Sequence, residues 1–186
     1  WDRKAGPVVD FTLKKFLHQC HIRTLKFKLD REPHVQIKGH RIRIQDVLWL
    51  KEPFIFTVDP ALTKGAKIRV GPGTRNYTPL KELPACVGAA MYLTEEMGFW
   101  RGASLSPTLI KRAINTNLKG GKFIYGGSTI IQQLVKNLFL SREKSIKRKI
   151  QEIIIAAATL DQLSKNRILE LYLNCIEFAP KVFGIT

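Results

Sequence analysis

Side chains that could catalyse a reaction are concentrated in four short blocks in the second half of the sequence. The first block contains Glu95-Glu96, which follows the apolar stretch Val87 to Leu93. A carboxylate at the end of an apolar segment can be partly desolvated, which makes it a stronger proton acceptor. This block therefore supplies a candidate general base. A solvated helix end is the simpler alternative.

The second block begins at Gly126-Gly127 and predicts a helix over 128–140, with Ser128 as its cap. Polar residues recur at helical spacing and gather opposite an apolar stripe; they are Ser128, Gln132, Gln133, Lys136 and Asn137. The free N–H groups at such a helix start favour an anion, and amides beside a lysine suit sugar hydroxyls and phosphate oxygens. An amphipathic helix with a solvated polar face is the alternative.

The third block contains Arg148, Lys149 and Glu152 within a predicted helix over 141–163. Arg148 and Glu152 are four residues apart, so they share a helix face and could form an ordinary ion pair worth a few tenths of a kcal/mol. The fourth block, Lys165 to Asn174, predicts an amphipathic helix capped by Ser164. The residues of this fourth block favour a structural role.

The elements that must position these blocks change character near residues 71–80, where Gly71-Pro72-Gly73 precedes two further prolines. Before this break, polar and apolar residues alternate, which predicts a hairpin around Gly39-His40 and two more strands at 54–58 and 66–70. A helix is predicted at 8–20. After the break, the periodicity is helical. The expected fold class is α+β, with a β-rich segment at 1–75 and a mainly helical domain at 76–186.

The overall charge favours a polyanionic partner. Lys and Arg number 31 against 15 Asp and Glu, which gives a formal net charge of +16. Nucleic acid, an anionic membrane and a phosphorylated substrate all fit this charge. A hydrophobic fraction of 45% predicts a folded chain rather than disorder.

Neither the cysteines nor the apolar runs define a compartment. Cys20, Cys86 and Cys175 lack metal-binding spacing and predict small buried apolar residues. The run Ile153 to Leu160 is far shorter than the ~20 residues that span a bilayer. The chain opens on Trp1 without a signal peptide, so we expect an excised piece whose membrane anchor, where it has one, lies outside the chain.

The order and spacing of the four blocks resemble the family-51 glycosyltransferases, the polymerase module of class A penicillin-binding proteins and of monofunctional transglycosylases. That family carries Glu-Asp-x-x-Phe, Gly-Gly-Ser-Thr-Ile-x-Gln-Gln, Arg-Lys-x-x-Glu and Lys-x-x-Ile-Leu-Glu-x-Tyr-Leu-Asn in this order. The corresponding stretches here are Glu95 to Phe99, Gly126 to Gln133, Arg148 to Glu152 and Lys165 to Asn174. The resemblance covers about residues 78–186 and implies a mainly α, lysozyme-like lobe.

The resemblance implies a polymerase that joins lipid II units and a nascent glycan strand, with inversion and release of undecaprenyl pyrophosphate. Glu95 would be the general base and Glu152 the second catalytic carboxylate. Substrate-binding positions would be Ser128, Gln132, Gln133, Lys136, Asn137, Arg148 and Lys149. Mg²⁺ or Mn²⁺ would accompany the pyrophosphate; no metal-binding residue is assigned with certainty, and a position near Glu96 is one candidate.

The same resemblance places the protein on the outer face of the cytoplasmic membrane, against an anionic membrane surface, with a transpeptidase domain or protein as a further partner. The stretch 100–122 would include a membrane-facing region. Aromatic and aliphatic residues in and just after this stretch suit an interface, although ordinary packing explains them equally well; they are Trp100, Leu105, Leu109, Phe123 and Tyr125.

The sequence also departs from the family pattern. Glu96 replaces the usual Asp, Gly102 and Ser104 replace a His and a Gly, and Ile131 replaces a Thr. Pro180 interrupts a Phe-Gly stretch. These changes support an alternative, a degenerate homologue that binds lipid-linked glycan or a partner without catalysis. A nucleic-acid-binding domain rests on charge alone, since the motifs of such domains are missing, and no nucleic-acid partner is expected.

Overall fold

The computed structural model describes residues 35–37, 40–41, 50–58, 66–101, 105, 128–141 and 145–185. A β-rich part comes first and a mainly helical part follows, which confirms the α+β class. The four described α-helices are α1 (Ala85–Glu95), α2 (Ile130–Phe139), α3 (Ile146–Gln162) and α4 (Lys165–Cys175). The predicted helix at 8–20, Cys20 and most of the predicted membrane-facing stretch lie outside the described residues.

The β-rich part is an antiparallel sheet of strands β1 (Val35–Ile37), β2 (His40–Arg41), β3 (Phe54–Thr57) and β4 (Lys67–Val70) in the order β2-β1-β3-β4. Ile37 pairs with His40, which confirms the predicted hairpin. A turn follows β4 at Gly71, whose φ is 136°. A side chain there would be strained and would place its Cβ 2.4 Å from the Pro53 Cα.

Helix α2 forms the centre of the helical part. Thr129 caps it, accepting from the Gln132 backbone N–H, while the Gln132 side chain accepts from the Thr129 N–H. The cap is therefore Thr129 and not Ser128, because the helix begins one residue later than predicted. The predicted apolar stripe is confirmed and is fully buried: Ile130, Ile131, Leu134, Val135 and Leu138.

Helices α3 and α4 pack against α2. Ser145 caps α3 by accepting from Arg148 N, so α3 begins later than the predicted residue 141. Ser164 caps α4 by accepting from Arg167 N at 3.3 Å, as predicted. None of the helices within the described ranges combines the length and hydrophobicity needed to cross a membrane.

A polar clamp joins α4 to the segment before α1. We use this name for Tyr77, Arg167, Glu170 and Asn174. Glu170 accepts from the Leu80 N–H at 2.7 Å, from Arg167 Nη1 at 2.6 Å and from the Tyr77 hydroxyl. These contacts confirm the structural role predicted for the fourth block.

The remaining two clamp residues extend these contacts along the chain. Asn174 exchanges hydrogen bonds with the Thr78 backbone, accepting at 2.9 Å and donating at 3.0 Å. Arg167 also donates to the Leu50 carbonyl, from Nε at 3.1 Å. The clamp therefore fixes the start of the helical part against the residue 50 region that precedes β3.

A small hairpin of β5 (Glu177–Ala179) and β6 (Val182–Phe183) follows α4. Pro180 and Lys181 form its turn, with Lys181 at φ 65°. Cys175 is buried as predicted, but Cys86 is exposed because it lies on the outward side of the first turn of α1. The prediction of buried cysteines is therefore wrong for Cys86.

Candidate active site

Glu95 is the last residue of α1, and its side chain is exposed. Its Oε2 accepts a hydrogen bond of 2.7 Å from Gln133 Nε2 on α2. The expected partial desolvation of this acid is wrong, because the helix end projects it toward solvent. The exposed position instead leaves the carboxylate accessible to a substrate, and among the described residues Gln133 donates to it and orients it.

Glu96 joins the first block to the second. Its Oε2 accepts from the Ile130 backbone N–H at 2.9 Å, at the start of α2. A carboxylate there is stabilised by the helix dipole and by a donor that has no partner within the helix. Oε1 is buried without a hydrogen-bond partner among the described residues. Glu96 thus holds the end of α1 against the start of α2, and so places Glu95 beside Gln133.

The polar side of α2 is partly enclosed. Gln132 is 3% exposed and its side chain belongs to the capping box. The other predicted substrate-binding residues of this block are half-buried: Ser128, Gln133, Lys136 and Asn137. The polar face is therefore only partly solvated, and Gln132 is occupied in holding the helix start. Its substrate-binding role stays a prediction.

The third block forms a buried charged triad at the start of α3. Arg148 Nη1 lies 2.6 Å from Glu152 Oε2, and Lys149 Nζ donates to Glu152 Oε1. The Glu152 side chain is 1% exposed, so this is a desolvated cluster rather than a surface ion pair. Two cations and one carboxylate leave a formal charge of +1 at this position.

Lys149 connects the triad to α2. Its Nζ donates to Ser128 Oγ at 3.0 Å and lies 3.5 Å from Gln132 Oε1. Gln133 Nε2, which donates to Glu95, also lies 3.4 Å from the Ser128 carbonyl oxygen. A continuous polar path therefore runs from the Glu95 carboxylate through α2 to the triad.

Two residues of the fourth block contact this site, although the sequence favoured only a structural role for them. The Tyr172 hydroxyl donates to Gln133 Oε1 at 3.1 Å. Burial, and to a lesser degree the negative charge of Glu95, raises the pKa of the Tyr172 phenol above its ordinary value. Lys165 Nζ donates to the Phe99 carbonyl and lies 5.7 Å from the centre of the Phe99 ring. The sequence signal for the Tyr172 contact is a tyrosine near the end of a predicted amphipathic helix, because a tyrosine hydroxyl that becomes buried needs a hydrogen-bond partner.

The described residues do not form a ready metal site. No group of three or more His, Cys, Asp or Glu side chains in the described ranges is arranged to bind a metal. The family resemblance suggests a candidate metal position near Glu96. One oxygen of this carboxylate accepts from the backbone at the start of α2, and the other oxygen is buried.

The site combines two chemical capacities. An accessible carboxylate at the end of α1 can take a proton, and a separate cationic cluster on α3 can stabilise an anion. The residues that replace the family His and Gly, Gly102 and Ser104, lie outside the described residues. Ile131, which replaces a Thr, is fully buried and packs in the core of the helical part.

Comparisons of the sequence with known proteins identify a family and several relatives. A family model described as transglycosylase matches residues 64–186, a range that also takes in β4. Penicillin-binding protein 1A/1B of Bacillus subtilis is 39% identical over 137 residues, which is 73% of this chain and 15% of that protein. Biosynthetic peptidoglycan transglycosylase of Nitrosomonas eutropha is 49% identical over 96 residues, which is 52% of this chain and 39% of that protein.

A third relative, penicillin-binding protein 1A of Aquifex aeolicus, is 39% identical over 116 residues, covering 62% of this chain and 16% of that protein. The chain spans less than half the length of each of these curated relatives. The four blocks all fall inside the matched range, and the structure brings the first three together around α2. The chain therefore belongs to the transglycosylase family, the family-51 peptidoglycan glycosyltransferases.

Proposed function

We propose that the protein is a peptidoglycan glycosyltransferase that polymerises lipid II into glycan strands, with Glu95 as the general base. The observation that carries this proposal is the polar path from Glu95 to the Arg148–Lys149–Glu152 triad. It links a proton acceptor to an anion-stabilising cluster. Transfer of a sugar from a pyrophosphate leaving group needs both.

In the proposed reaction, Glu95 takes the proton from the 4-hydroxyl of the acceptor sugar. The acceptor oxygen forms a bond to the anomeric carbon of the donor, and the bond from that carbon to the pyrophosphate oxygen breaks. The electron pair leaves with undecaprenyl pyrophosphate, and the anomeric configuration inverts. The hydrogen bond from Gln133 holds the Glu95 carboxylate in one orientation, which general base catalysis requires.

The triad supports departure of the pyrophosphate. Negative charge develops on the leaving group, and cations fixed in advance stabilise it at little reorganisation cost. Glu152 holds Arg148 and Lys149 in place through both of its carboxylate oxygens. It therefore acts on the leaving group through these cations, and Lys136 and Asn137 extend the polar surface for the same substrate.

Mg²⁺ or Mn²⁺ remains a proposed companion of the substrate pyrophosphate. Mg²⁺ commonly binds through substrate phosphates with one or two carboxylates, so it does not need a protein site of its own. No step described above depends on it.

The proposed location is the outer face of the cytoplasmic membrane, where lipid-linked glycan is assembled into the wall. The net charge of +16 suits both the substrate pyrophosphate and an anionic membrane surface. Relatives named penicillin-binding protein suggest a transpeptidase domain or protein as a further partner.

Polymerisation of fluorescent lipid II by the full-length protein, in detergent with divalent metal, tests the proposal. Glu95→Gln keeps the side-chain shape but cannot accept the proton. We expect its rate to fall about 10²–10⁴-fold, as for loss of a general base. Glu82→Gln is the matched control, because Glu82 is an exposed acid in the short 3₁₀ helix Leu80–Glu82 before α1, outside the polar path.

Glu82→Gln should polymerise at the wild-type rate. Wild-type activity in Glu95→Gln would remove Glu95 as the base. Lipid II binding without polymer from the wild-type protein would instead favour a degenerate, glycan-lipid-binding homologue. Salt-sensitive DNA binding without lipid II binding would contradict both.

A further inference from the structure

The hydroxyl of Tyr172 contacts the candidate site from α4 through Gln133. The residue is 1% exposed and lies on α4, which packs against α2. Its hydroxyl donates to Gln133 Oε1 at 3.1 Å, and the Gln133 Nε2 donates to Glu95 Oε2 at 2.7 Å. Three side chains from three helices therefore form a single line of hydrogen bonds that ends at the base.

The chemistry of the amide makes this order significant. A glutamine side chain has an oxygen that accepts and a nitrogen that donates, and the two can exchange places by rotation. An ionised Glu95 accepts only, so it requires the Gln133 nitrogen. Once Glu95 has taken a proton it can also donate, and the amide oxygen would then be an equally good partner. The Ser128 carbonyl, which can only accept, lies 3.4 Å from the Gln133 nitrogen and so favours this order, and the Tyr172 hydroxyl supplies the donor that the Gln133 oxygen then needs.

We propose that Tyr172 is a positioning residue for the base: its hydroxyl binds the Gln133 oxygen and, together with the Ser128 carbonyl, holds the amide nitrogen toward Glu95 in both protonation states. This inference rests on the proposed function and adds a residue to its machinery. Tyr172 does not contact Glu95 through a described hydrogen bond, so it acts through Gln133. The raised pKa of the buried phenol keeps it protonated, and so a donor, over the ordinary range of pH.

The clamp offers a matched control. Tyr77 is also a largely buried tyrosine, and its hydroxyl hydrogen-bonds Glu170 and Arg167, far along the chain from Gln133. Tyr77→Phe and Tyr172→Phe remove the same group from two polar clusters. A general structural effect of losing a buried hydroxyl would appear in both variants.

The first test is lipid II polymerisation by the full-length protein with the two variants, normalised to folded protein. We expect Tyr172→Phe to lower kcat about tenfold, the loss of one oriented hydrogen bond, with KM changed less than about twofold. Tyr77→Phe should keep the wild-type kcat. In a Gln133→Met background, Tyr172→Phe should cause no further loss, because the group through which it acts is gone.

Three outcomes of this test would overturn the inference when the wild type is active. They are a wild-type kcat in Tyr172→Phe, a rise in KM alone, and an unchanged tenfold loss in the Gln133→Met background. An equal loss of kcat in Tyr77→Phe would also assign the effect to general stability. No polymer from the wild type would overturn the proposed function instead.

A measurement without turnover separates these two failures. The side-chain amide protons of Gln133 can be followed by NMR in protein labelled with ¹⁵N-glutamine and assigned by their loss in Gln133→Met. Tyr172→Phe should shift these signals and speed their exchange with water, and Tyr77→Phe should leave them unchanged. Unchanged signals in Tyr172→Phe would overturn the proposed positioning of Gln133 by Tyr172, whatever the polymerisation activity of the variant.

Discussion

Two carboxylate clusters in this molecule use the same residue types for different ends. In the clamp, Glu170 accepts from Arg167, the Leu80 N–H and Tyr77, so both oxygens are bonded to the protein. In the candidate site, Glu95 is exposed and receives one described hydrogen bond, from Gln133. A carboxylate surrounded by donors stabilises the fold, whereas an accessible one can exchange a proton with a ligand.

Glu152 lies between these extremes. It is as fully bonded as Glu170, yet its partners Arg148 and Lys149 lead toward the site through Ser128. Its burial is also greater, since the side chain is 1% exposed against 18% for Glu170. From this comparison we predict that Glu152 affects both stability and catalysis, Glu170 stability alone, and Glu95 catalysis alone.

Removal of the Glu152 carboxylate should have the largest effect on stability. Glu152→Ala leaves Arg148, which is 8% exposed, without its buried partner. We expect the free energy of unfolding to fall by about 3–5 kcal/mol. Chemical denaturation measures this loss, and lipid II polymerisation should be lost at temperatures where the variant is still folded.

Glu152→Gln is the matched control for this change. It keeps the shape and an acceptor oxygen, so it should recover part of the stability while polymerisation stays low. Full polymerisation by folded Glu152→Gln would show that its negative charge is dispensable and would place Glu152 with Glu170 as a structural acid.

The clamp should instead give a pH-dependent stability that is independent of catalysis. Burial alone would raise the pKa of Glu170, but hydrogen bonds from Tyr77, Leu80 and Arg167 outweigh it, so the pKa lies below its ordinary value of 4.5. A lowered folded-state pKa stabilises the protein above pH 4.5, and this contribution is lost as the pH falls below that value. Stability should therefore decrease with acidification in this window.

Glu170→Gln tests the source of that pH dependence. It should lower the free energy of unfolding by about 2 kcal/mol at neutral pH, through weaker hydrogen bonds to Arg167. It should also flatten the decline below pH 4.5, with kcat per folded molecule unchanged. An equally steep acid decline in Glu170→Gln would assign the pH dependence to other carboxylates.

The sequence predicted the elements well where a local signal exists. Alternation gave the hairpin at 35–41 and the strands at 54–58 and 66–70, and helical periodicity gave α2 to α4. Helix starts were less accurate, because Ser128 and Thr129 are both good caps by type. Only the position of the Gln132 side chain, which completes the box with Thr129, decides between them.

The candidate site was predictable as a set of residues but not as a geometry. Family resemblance indicated Glu95, Gln133, Lys149 and Glu152, yet it could not say that Glu95 is exposed and Glu152 buried. Exposure depends on packing between helices that are distant in sequence. The Tyr172–Gln133 bond joins residues 39 positions apart, and no local pattern encodes such a contact.

Two neighbouring hydroxyls at the start of α2 show the same contrast between a structural residue and a residue of the candidate site. Thr129 Oγ1 accepts from the Gln132 N–H and caps the helix, whereas Ser128 Oγ accepts from Lys149 Nζ at 3.0 Å.

Thr129→Ala should cost about 1 kcal/mol of stability, as loss of an N-cap does, and should keep the activity of folded protein. Ser128→Ala should change stability by less than about 0.5 kcal/mol but lower polymerisation severalfold, because Lys149 loses a partner that orients it. Thermal unfolding and lipid II polymerisation, measured on both variants, check the two expectations. The reverse pattern, with Ser128→Ala the less stable variant and Thr129→Ala the less active one, would contradict the structural role of Thr129 and the role of Ser128 in the site.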